Sequence, residues 1–266
     1  MHDPDGAAPA PPPILTVSDL RRRFGGLAAL DGVSFSVAPG RITALIGPNG
    51  AGKTTLFNAI SGLLRVDAGS VRLHGREVLG LKPEAVTAQG MVRSFQIARG
   101  FPKLTVFEHL MLYGQRQPGE SWTAALFGGA ALRRAEAALA ERALATAARL
   151  RLAHVIDNQV TALSGGQKKL LEIGRTLMAE PGVILLDEPA AGVNPTLAEE
   201  IGDALVAIAT EGRTILLIEH DMALVGRIAQ DVVVMAAGRT LATGDFDSVC
   251  ADPAVQDAYL GTRHAA

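Results

Sequence analysis

The sequence predicts an α/β fold in which helices cover a parallel sheet and a helical subdomain is inserted into the core. In the second half of the chain, short apolar runs at 182–187, 213–219 and 231–235 alternate with helical patterns. Strand–helix–strand order requires crossover connections, which place such strands parallel in one sheet. A long stretch at 105–152 is rich in Ala, Leu, Arg and Glu, with apolar residues at helical spacing over 131–150. We therefore expect this stretch to form the inserted subdomain.

The other elements follow from apolar runs and turn residues. Predicted strands in the first half lie at 14–17, 33–37, 41–46, 70–73 and 91–95. Predicted helices lie at 56–64, 195–210, 222–229 and 254–260, and a further one runs from Ser164 to about Met178. Ala38–Gly40 supplies a tight turn between the second and third strands.

Composition and charge favour a globular domain whose main partner is not a nucleic acid. The chain has 266 residues, 48% of them apolar, so a sizeable core is available. Its net charge is −2, whereas binding to a phosphate backbone requires clustered Lys and Arg. The dense basic patch near the start, Arg21–Arg23, is interpreted as a solvated strand edge. Cys250 is the single cysteine, which excludes an intramolecular disulfide.

No segment of the sequence is typical of a signal peptide or a membrane span. Residues 1–13 combine acidic residues with Ala and Pro, which indicates a disordered tail. The most apolar candidate span, at 204–218, is broken by Glu211 and Arg213. We therefore expect a soluble chain that reaches a membrane only through a partner.

The most specific motif is a glycine-rich loop between a predicted strand and a predicted helix, with the spacing Gly, four residues, Gly-Lys-Thr. Amides exposed by glycine can surround phosphate oxygens, and the following helix directs its positive dipole end at the same anion. Lys53 is expected to reach the β- and γ-phosphates of a nucleotide, and Thr54 to offer its hydroxyl to Mg²⁺. A turn that matches by accident is the alternative, which the flanking strand and helix disfavour. The predicted nucleotide-binding residues here are Gly47, Pro48, Asn49, Gly50, Ala51, Gly52, Lys53, Thr54 and Thr55.

Two adjacent carboxylates follow the apolar run Ile184–Leu186. Asp187 and Glu188 thereby fall at the C-terminal end of a predicted parallel strand, where ligands bind in open α/β sheets. Asp187 is predicted to hold Mg²⁺, directly or through water, and Glu188 to act as general base for an attacking water. Ordinary surface acids are the alternative, and the phosphate loop upstream favours the catalytic interpretation.

A second helix start has the features of an anion site. Ser164 is a favourable N-cap, and the two glycines after it expose amides at the positive end of the helix. A capped helix with a flexible start is the alternative. The chain thus has two candidate phosphate-binding helix starts but one phosphate-loop lysine. Either both converge on one nucleotide within a chain, or each serves a different nucleotide.

The five residues Leu163–Gln167 are the unaltered signature sequence of the ATP-binding-cassette (ABC) ATPases, and the chain resembles this family over about residues 14–262. The resemblance implies a P-loop NTPase (RecA-like) core with an antiparallel β region and an inserted α-helical subdomain. The implied division is a tail at 1–13, core segments at 14–98 and 164–245, a helical subdomain at 99–163, and a C-terminal helix and tail at 246–266.

The resemblance also implies that two such domains pair head to tail, so that ATP lies between the phosphate loop of one and the signature helix of the other. Ser164 and Gly166 would then contact the γ-phosphate held by the partner, and Gly165 and Gln167 complete that part of the nucleotide site. This arrangement would resolve the mismatch between two helix starts and one lysine.

Three further positions gain roles through the resemblance, and a fourth departs from its pattern. Gln96 matches the glutamine that senses Mg²⁺ and the attacking water, so it is both a metal and a catalytic candidate. His220 matches the histidine that contacts the γ-phosphate and orients the water. Phe24 matches the aromatic that stacks on adenine, although Tyr is commoner there and a core aromatic is the alternative. Asn194 departs from the pattern, since many members have Asp in this partner-facing loop.

Shorter similarities point to one group within the family, the larger ATPase subunit of branched-chain amino acid importers. The similar stretches are 24–27, 93–96, 189–195, 218–222 and 258–261. Membership would imply a second ATPase subunit, in a homo- or heterodimer, two transmembrane permeases and, indirectly, an extracytoplasmic substrate-binding protein. It would place the chain on the cytoplasmic face of the inner (plasma) membrane.

Several other functions stay open at this point. A urea or amide importer and a lipopolysaccharide exporter share related motifs, and a regulatory switch would bind ATP but hardly hydrolyse it. ATPases of DNA repair or translation usually carry long coiled-coil insertions or two cassettes, which this sequence lacks. Hydrolysis is favoured over a switch because all of its candidate residues are intact, namely Lys53, Gln96, Asp187, Glu188 and His220.

Overall fold

The computed structural model describes residues 11–94, 101–114 and 129–260. Four strands form an antiparallel sheet in the order β2-β1-β4-β5. They are β1 (Leu15–Phe24), β2 (Leu27–Val37), β4 (Ala68–Leu73) and β5 (Arg76–Glu77). This sheet is the antiparallel region that the resemblance implied.

A second sheet has six strands in the order β10-β9-β3-β8-β7-β6. They are β3 (Ile42–Ile46), β6 (Met91–Arg93), β7 (Val183–Asp187), β8 (Thr214–Ile218), β9 (Asp231–Ala236) and β10 (Arg239–Gly244). All neighbouring pairs run parallel except β9 and β10. The predicted parallel sheet is therefore confirmed, with an antiparallel strand added at one edge.

Nine helices lie within the described residues. They are α1 (Lys53–Ile60), α2 (Pro83–Ala88), α3 (Val106–Leu112), α4 (Gly129–Arg149), α5 (Gly165–Met178), α6 (Pro195–Thr210), α7 (Met222–Ile228), α8 (Phe246–Ala251) and α9 (Pro253–Leu260). In the described ranges, none of these helices has the length and apolar character needed to cross a bilayer. The expected tail is described only from residue 11, and residues 11–13 have no regular structure.

Some predicted boundaries were wrong by several residues. Helix α1 begins at Lys53, not at position 56, because Gly52 adopts φ 100° immediately before it and ends the loop. β1 and β2 extend well beyond the predicted 14–17 and 33–37, since their polar halves pair with each other across a hairpin. An apolar run alone therefore underestimates strands that are exposed on one face.

The interpretation of Arg21–Arg23 as a solvated strand edge holds for part of the run. β1 lies between β2 and β4, but its pairing with β4 ends at Arg21, so Arg22 and Arg23 pair on one side only, with β2. Carboxylates offset their charge, because Arg21 pairs with Asp19 at 2.7 Å and Arg22 with Asp67 at 2.9 Å. The basic patch is a structural ion-pair cluster within the antiparallel sheet.

The six-stranded sheet separates two apolar cores. One core lies against the helices α3 to α9, and the other lies against α1 and the antiparallel sheet. Alternate residues of a strand point into different cores, as period-two side-chain direction requires. In β3, for example, Ile46 contributes to the first core and Leu45 to the second. The strand that leads into the glycine-rich loop is thus held from both sides.

Candidate nucleotide-binding and active site

The glycine-rich loop joins the end of β3 to the start of α1, as the sequence predicted. Gly47 has φ 147° and Gly52 φ 100°. A Cβ on Gly47 would lie 2.0 Å from the Met235 carbonyl oxygen, and one on Gly52 would lie 2.4 Å from the Ala29 carbonyl oxygen. Both the backbone angles and the close neighbours require glycine at these two positions.

Lys53 is the first residue of α1 and turns back over its own loop. Its Nζ donates hydrogen bonds to the carbonyl oxygens of Gly47, at 2.6 Å, and Pro48, at 3.0 Å. Burial lowers the pKa of this amine, whereas the charges of Glu188 and Asp187 raise it. The lysine and the two strand-end carboxylates therefore share one electrostatic field beside the loop.

The other loop residues build the amide-lined turn in front of the helix. The Ala51 amide donates to the Pro48 carbonyl at 3.2 Å, which closes the turn, and Ala51 is buried. Asn49 and Gly50 are exposed at the tip, and a Cβ on Gly50 would meet no atom within 4 Å. The following Thr54 is exposed and Thr55 is half-buried, so both lie in the first turn, where helix amides have no intrahelical acceptor.

Asp187 ends β7 and forms an ion pair that sequence reasoning missed. Its Oδ2 accepts a hydrogen bond from the Arg93 guanidinium at 2.8 Å. The same guanidinium donates to Asn58 Oδ1 in α1 at 2.6 Å. Arg93 had been noted only within a family-like stretch, and the signal that could have marked it is an arginine at the end of an apolar strand.

Glu188 follows Asp187 and contacts the predicted histidine. Its Oε1 lies 3.0 Å from His220 Nε2, and the two side chains are 41% and 43% exposed. Glu188 has φ 50°, a left-handed conformation that is uncommon for residues other than glycine. Its amide donates to the Ile218 carbonyl at 3.0 Å, and Lys169 Nζ donates to its carbonyl at 3.3 Å. The carboxylate is thus held at the mouth of the sheet, next to His220.

A buried carboxylate, Glu219, supports this pair and was not singled out from the sequence. Its Oε1 accepts from the Ala190 amide at 2.9 Å, and its Oε2 accepts from the His220 amide at 3.1 Å. Glu219 thereby ties the segment after β7 to the segment after β8. An acidic residue at the end of an apolar run was the available signal.

The signature stretch forms a capped helix start. Ser164 Oγ accepts from the Gln167 amide at 3.2 Å, and Gln167 Oε1 accepts from the Ser164 amide at 2.9 Å, which is a capping box. A Cβ on Gly165 would meet no atom within 4 Å, so the helix start is open there. Gly166 is different, because a Cβ would lie 1.8 Å from the Leu197 side chain. One glycine therefore leaves space for a ligand, and the other allows packing against α6.

Phe24 lies at the end of β1, and the core alternative was wrong because its ring is 46% exposed. The guanidinium of Arg22 stacks 4.7 Å from the ring centroid.

Asn194 is the N-cap of α6, where its side chain accepts from the Leu197 amide at 2.9 Å. Gln96 lies outside the described residues, so its metal and catalytic assignments stay predictions.

The residues at the phosphate loop fit a magnesium ion. The Asp187 carboxylate and the Thr54 hydroxyl supply oxygen atoms, which Mg²⁺ prefers. Within the described ranges, no group of three or more His, Cys, Asp or Glu side chains is arranged to hold a metal without help. Mg²⁺ usually binds one or two carboxylates together with substrate phosphates, and Asp187 would provide one such carboxylate beside the phosphate loop.

In P-loop nucleoside triphosphatases, a phosphate loop with its lysine lies next to carboxylates at the ends of parallel strands. The fold and the site described above have this arrangement, and together they assign the chain to that class. Within the class, residues 30–191 match the family described as ABC transporter. The chain belongs to this family and is one of its ATPases. Residues 239–265 match a second family, described as branched-chain amino acid ATP-binding cassette transporter.

Curated relatives and solved structures are similar to the chain over nearly its full length. BraF of Pseudomonas aeruginosa, a high-affinity branched-chain amino acid transport ATP-binding protein, is 39% identical over 250 residues, which cover 94% of this chain and 98% of the relative. LivG of Escherichia coli, which has the same description, is 37% identical with the same coverage.

Two solved structures support the same assignment. An ATP-binding cassette of an ABC transporter in its ADP conformation aligns with a TM-score of 0.82 and 38% identity, covering 94% of this chain and 100% of that one. A nucleotide-free cassette aligns with a TM-score of 0.80 and 38% identity, covering 93% of this chain and 98% of that one. The predicted fold class and the predicted ATPase activity are confirmed.

Proposed function

We propose that this chain energises an importer of branched-chain or other hydrophobic amino acids by hydrolysing ATP at a dimer interface. The observation that carries the hydrolytic part is the contact of Glu188 with His220 at the strand ends beside Lys53. The cargo is inferred from the relatives, whose names assign them to branched-chain amino acid transport, and from the C-terminal match.

In this proposal the phosphate loop binds and orients the triphosphate. Lys53 exchanges its hydrogen bonds with the Gly47 and Pro48 carbonyls for phosphate oxygens, and the amides of the loop and the first turn of α1 complete the cradle. Phe24 stacks on adenine with the ring face opposite Arg22. The helix dipole and the lysine together favour a polyanionic ligand at this position.

Glu188 serves as the general base. His220 holds Oε1, which leaves Oε2 to accept a proton from a water molecule in line with the γ-phosphate. Asp187, Thr54 and, by resemblance, Gln96 would hold Mg²⁺, which when bound neutralises charge on the β- and γ-phosphates. Glu188 has a left-handed backbone conformation, which directs its carboxylate away from the end of β7. In this proposal, that direction allows the carboxylate to reach the attacking water.

We also assign the signature helix to the γ-phosphate of a second subunit. The helix start carries a capping serine and an open Gly165. Its first lysines, Lys168 and Lys169, come four and five residues after the cap, whereas Lys53 is the first residue of α1 and lies directly behind its loop. Such a site adds amides and a dipole to a phosphate whose lysine comes from elsewhere. A head-to-tail dimer, formed with a second copy or a related ATPase subunit, supplies that lysine.

Two transmembrane permeases and, indirectly, an extracytoplasmic substrate-binding protein complete the proposed complex. The chain would lie on the cytoplasmic face of the inner (plasma) membrane, held there by the permeases. ATP binding would close the two ATPase subunits and hydrolysis would open them, so that the permeases receive an alternating motion.

The proposal is tested by reconstituting the chain with a second ATPase subunit, two permeases and a binding protein of a branched-chain amino acid importer. Proteoliposomes should take up radiolabelled leucine, and leucine-loaded binding protein should stimulate phosphate release. Complexes that carry Lys53→Ala should do neither, whereas Lys82→Ala, at an exposed lysine that precedes α2, should behave as wild type. If urea or an amide stimulates phosphate release and leucine does not, the cargo assignment is wrong and an importer of those compounds replaces it. If ATP closes the dimer but is hardly hydrolysed, the regulatory switch is favoured.

A further inference from the structure

The guanidinium of Arg93 is placed between the phosphate-loop helix and the proposed metal carboxylate. It donates to Asn58 Oδ1 at 2.6 Å and to Asp187 Oδ2 at 2.8 Å. The ring of Phe57 lies 5.6 Å from the guanidinium carbon, which covers one face of the cation. Arg93 is 9% exposed and Asp187 is 26% exposed, so water screens this pair only partly.

This contact reaches the metal carboxylate through backbone pairing that the fold enforces. Arg93 ends β6, which pairs in parallel with β7, and the register places Arg93 opposite Leu185, two residues before Asp187. The Ser94 amide donates to the Leu185 carbonyl at 2.9 Å and fixes the strand end. An arginine is charged at all working pH values, so the cation beside Asp187 is permanent.

We propose that Arg93 is a counter-charge that keeps metal affinity at Asp187 low, so that the metal leaves readily with the product nucleotide. Arg93 acts through Asp187 and is therefore a positioning residue. This inference rests on the proposed function, because it takes Asp187 to be the metal carboxylate.

The ion pair has two opposite effects on metal affinity. The direction in which metal affinity changes when the pair is lost therefore distinguishes the proposed role from a merely structural one. Holding Oδ2 in place preorganises the carboxylate, so loss of the contact through this effect would weaken metal binding. The positive charge repels a divalent cation across a few ångströms of partly dehydrated protein, so its loss would tighten metal binding. The repulsion between Arg93 and a divalent ion is twice that felt by a monovalent ion, because the Coulomb energy scales with charge. We therefore expect this repulsion to outweigh the loss of preorganisation.

The matched test compares Arg93→Gln, which keeps a hydrogen-bond donor but removes the charge, with Arg93→Lys, which keeps the charge. The probe is Mn²⁺ with ADP, and free Mn²⁺ is counted by its electron paramagnetic resonance signal. We expect Arg93→Gln to bind Mn²⁺ about tenfold more tightly than wild type, and Arg93→Lys to stay within about twofold of wild type. Arg72→Gln, which removes an exposed arginine whose Nε lies 3.7 Å from Glu77, should change nothing.

Unchanged or weaker Mn²⁺ binding by Arg93→Gln overturns the inference, as does an equal tightening by Arg93→Lys. Asp187→Asn separates this failure from that of the proposed function. If Asp187→Asn keeps wild-type Mn²⁺ affinity, the metal assignment itself is wrong. If Arg93→Gln fails to fold by circular dichroism, Arg93→Met, which is also uncharged and has a long side chain, provides the second measurement. We expect Arg93→Met to bind Mn²⁺ more tightly than wild type, and unchanged binding overturns the inference.

Discussion

His220 Nε2 lies 3.0 Å from Glu188 Oε1, although the two residues follow different strands of the parallel sheet. β7 and β8 are direct neighbours, with Asp187 opposite Ile218 in their register. The segment after each strand therefore emerges at the same edge, and the imidazole meets the carboxylate there. The contact orients the proposed general base even without a bound substrate.

We expect Glu188→Gln to lower turnover by at least about a hundredfold while ATP binding persists, because an amide keeps the shape but cannot accept a proton. Phosphate release in the assembled complex measures turnover, and size-exclusion chromatography with ATP should show a trapped closed dimer. Glu180→Gln is the matched control, since Glu180 also has a left-handed backbone, with φ 48°, but lies far from the loop in an ion pair with Arg142. Wild-type turnover by Glu188→Gln would remove this residue as the base.

Replacement of Lys53 by alanine should weaken ATP binding by about two orders of magnitude, because charge-assisted hydrogen bonds to the β- and γ-phosphates are lost. A titration with a fluorescent ATP analogue measures the change. AMP affinity should fall much less, since AMP lacks both of those phosphates. An equal loss for AMP and ATP would mean that the substitution damages the loop and not a phosphate contact.

Phe24→Ala should raise the dissociation constant for ATP about tenfold, because base stacking on an aromatic ring contributes roughly 1–3 kcal/mol. Phe24→Tyr should retain wild-type affinity, as a phenol ring offers the same stacking face. Inorganic triphosphate has no base, so its affinity should be equal for all three proteins. A parallel loss of triphosphate binding in Phe24→Ala would contradict the assignment.

Ser164→Asp separates the capping role of this residue from its proposed phosphate contact. Aspartate caps helices as well as serine does, so the melting temperature should hold, whereas Ser164→Ala should lose about 1 kcal/mol of stability. The added carboxylate would repel a γ-phosphate, so ATP should no longer drive dimerisation in a Glu188→Gln background. Intact dimerisation of Ser164→Asp would count against a shared site.

Stability should depend on pH through Glu172, which is buried in α5. Burial raises the pKa of this carboxyl above its ordinary value of 4.5, although Lys169, Arg175 and a hydrogen bond from Ser94 act in the opposite direction. A raised pKa in the folded state means that the stability contribution is complete below the unfolded pKa and is lost as pH rises through the folded pKa.

We therefore expect Glu172→Gln to raise the melting temperature by about 2 °C near pH 8, where wild type must bury a charge, and to have little effect near pH 4. Differential scanning calorimetry at both pH values measures the shift. Glu141→Gln, at an exposed position of α4, should show no such pH dependence. An equal gain at both pH values would show that the effect does not come from ionisation.

Local signals predicted the parts of the molecule that depend on neighbouring residues. The bounds of α6 were predicted correctly because Asn194 caps the helix and Pro195 suits its first position. The phosphate loop was equally local, since a strand, fixed glycine spacing and a helix lie within one continuous segment. Apolar runs likewise located β7 and β8, which are buried on both faces.

The order of strands across the sheet was not available from such signals. Arg93 and Asp187 are 94 residues apart, and their ion pair exists only because β6 lies beside β7. The same holds for Glu219, whose carboxylate joins two loops, and for the polar halves of β1 and β2. These features depend on which strands become neighbours, and the periodicity of a single segment carries no information on that choice.

β3 sends Leu45 into one apolar core and Ile46 into the other, immediately before the phosphate loop. A large-to-small substitution that leaves a cavity in either core would leave β3 well packed on one side only. The loop would then lose its geometry at temperatures at which the rest of the molecule is still folded. Heat-sensitive defects in transport should consequently arise at interior aliphatic positions that never approach the nucleotide.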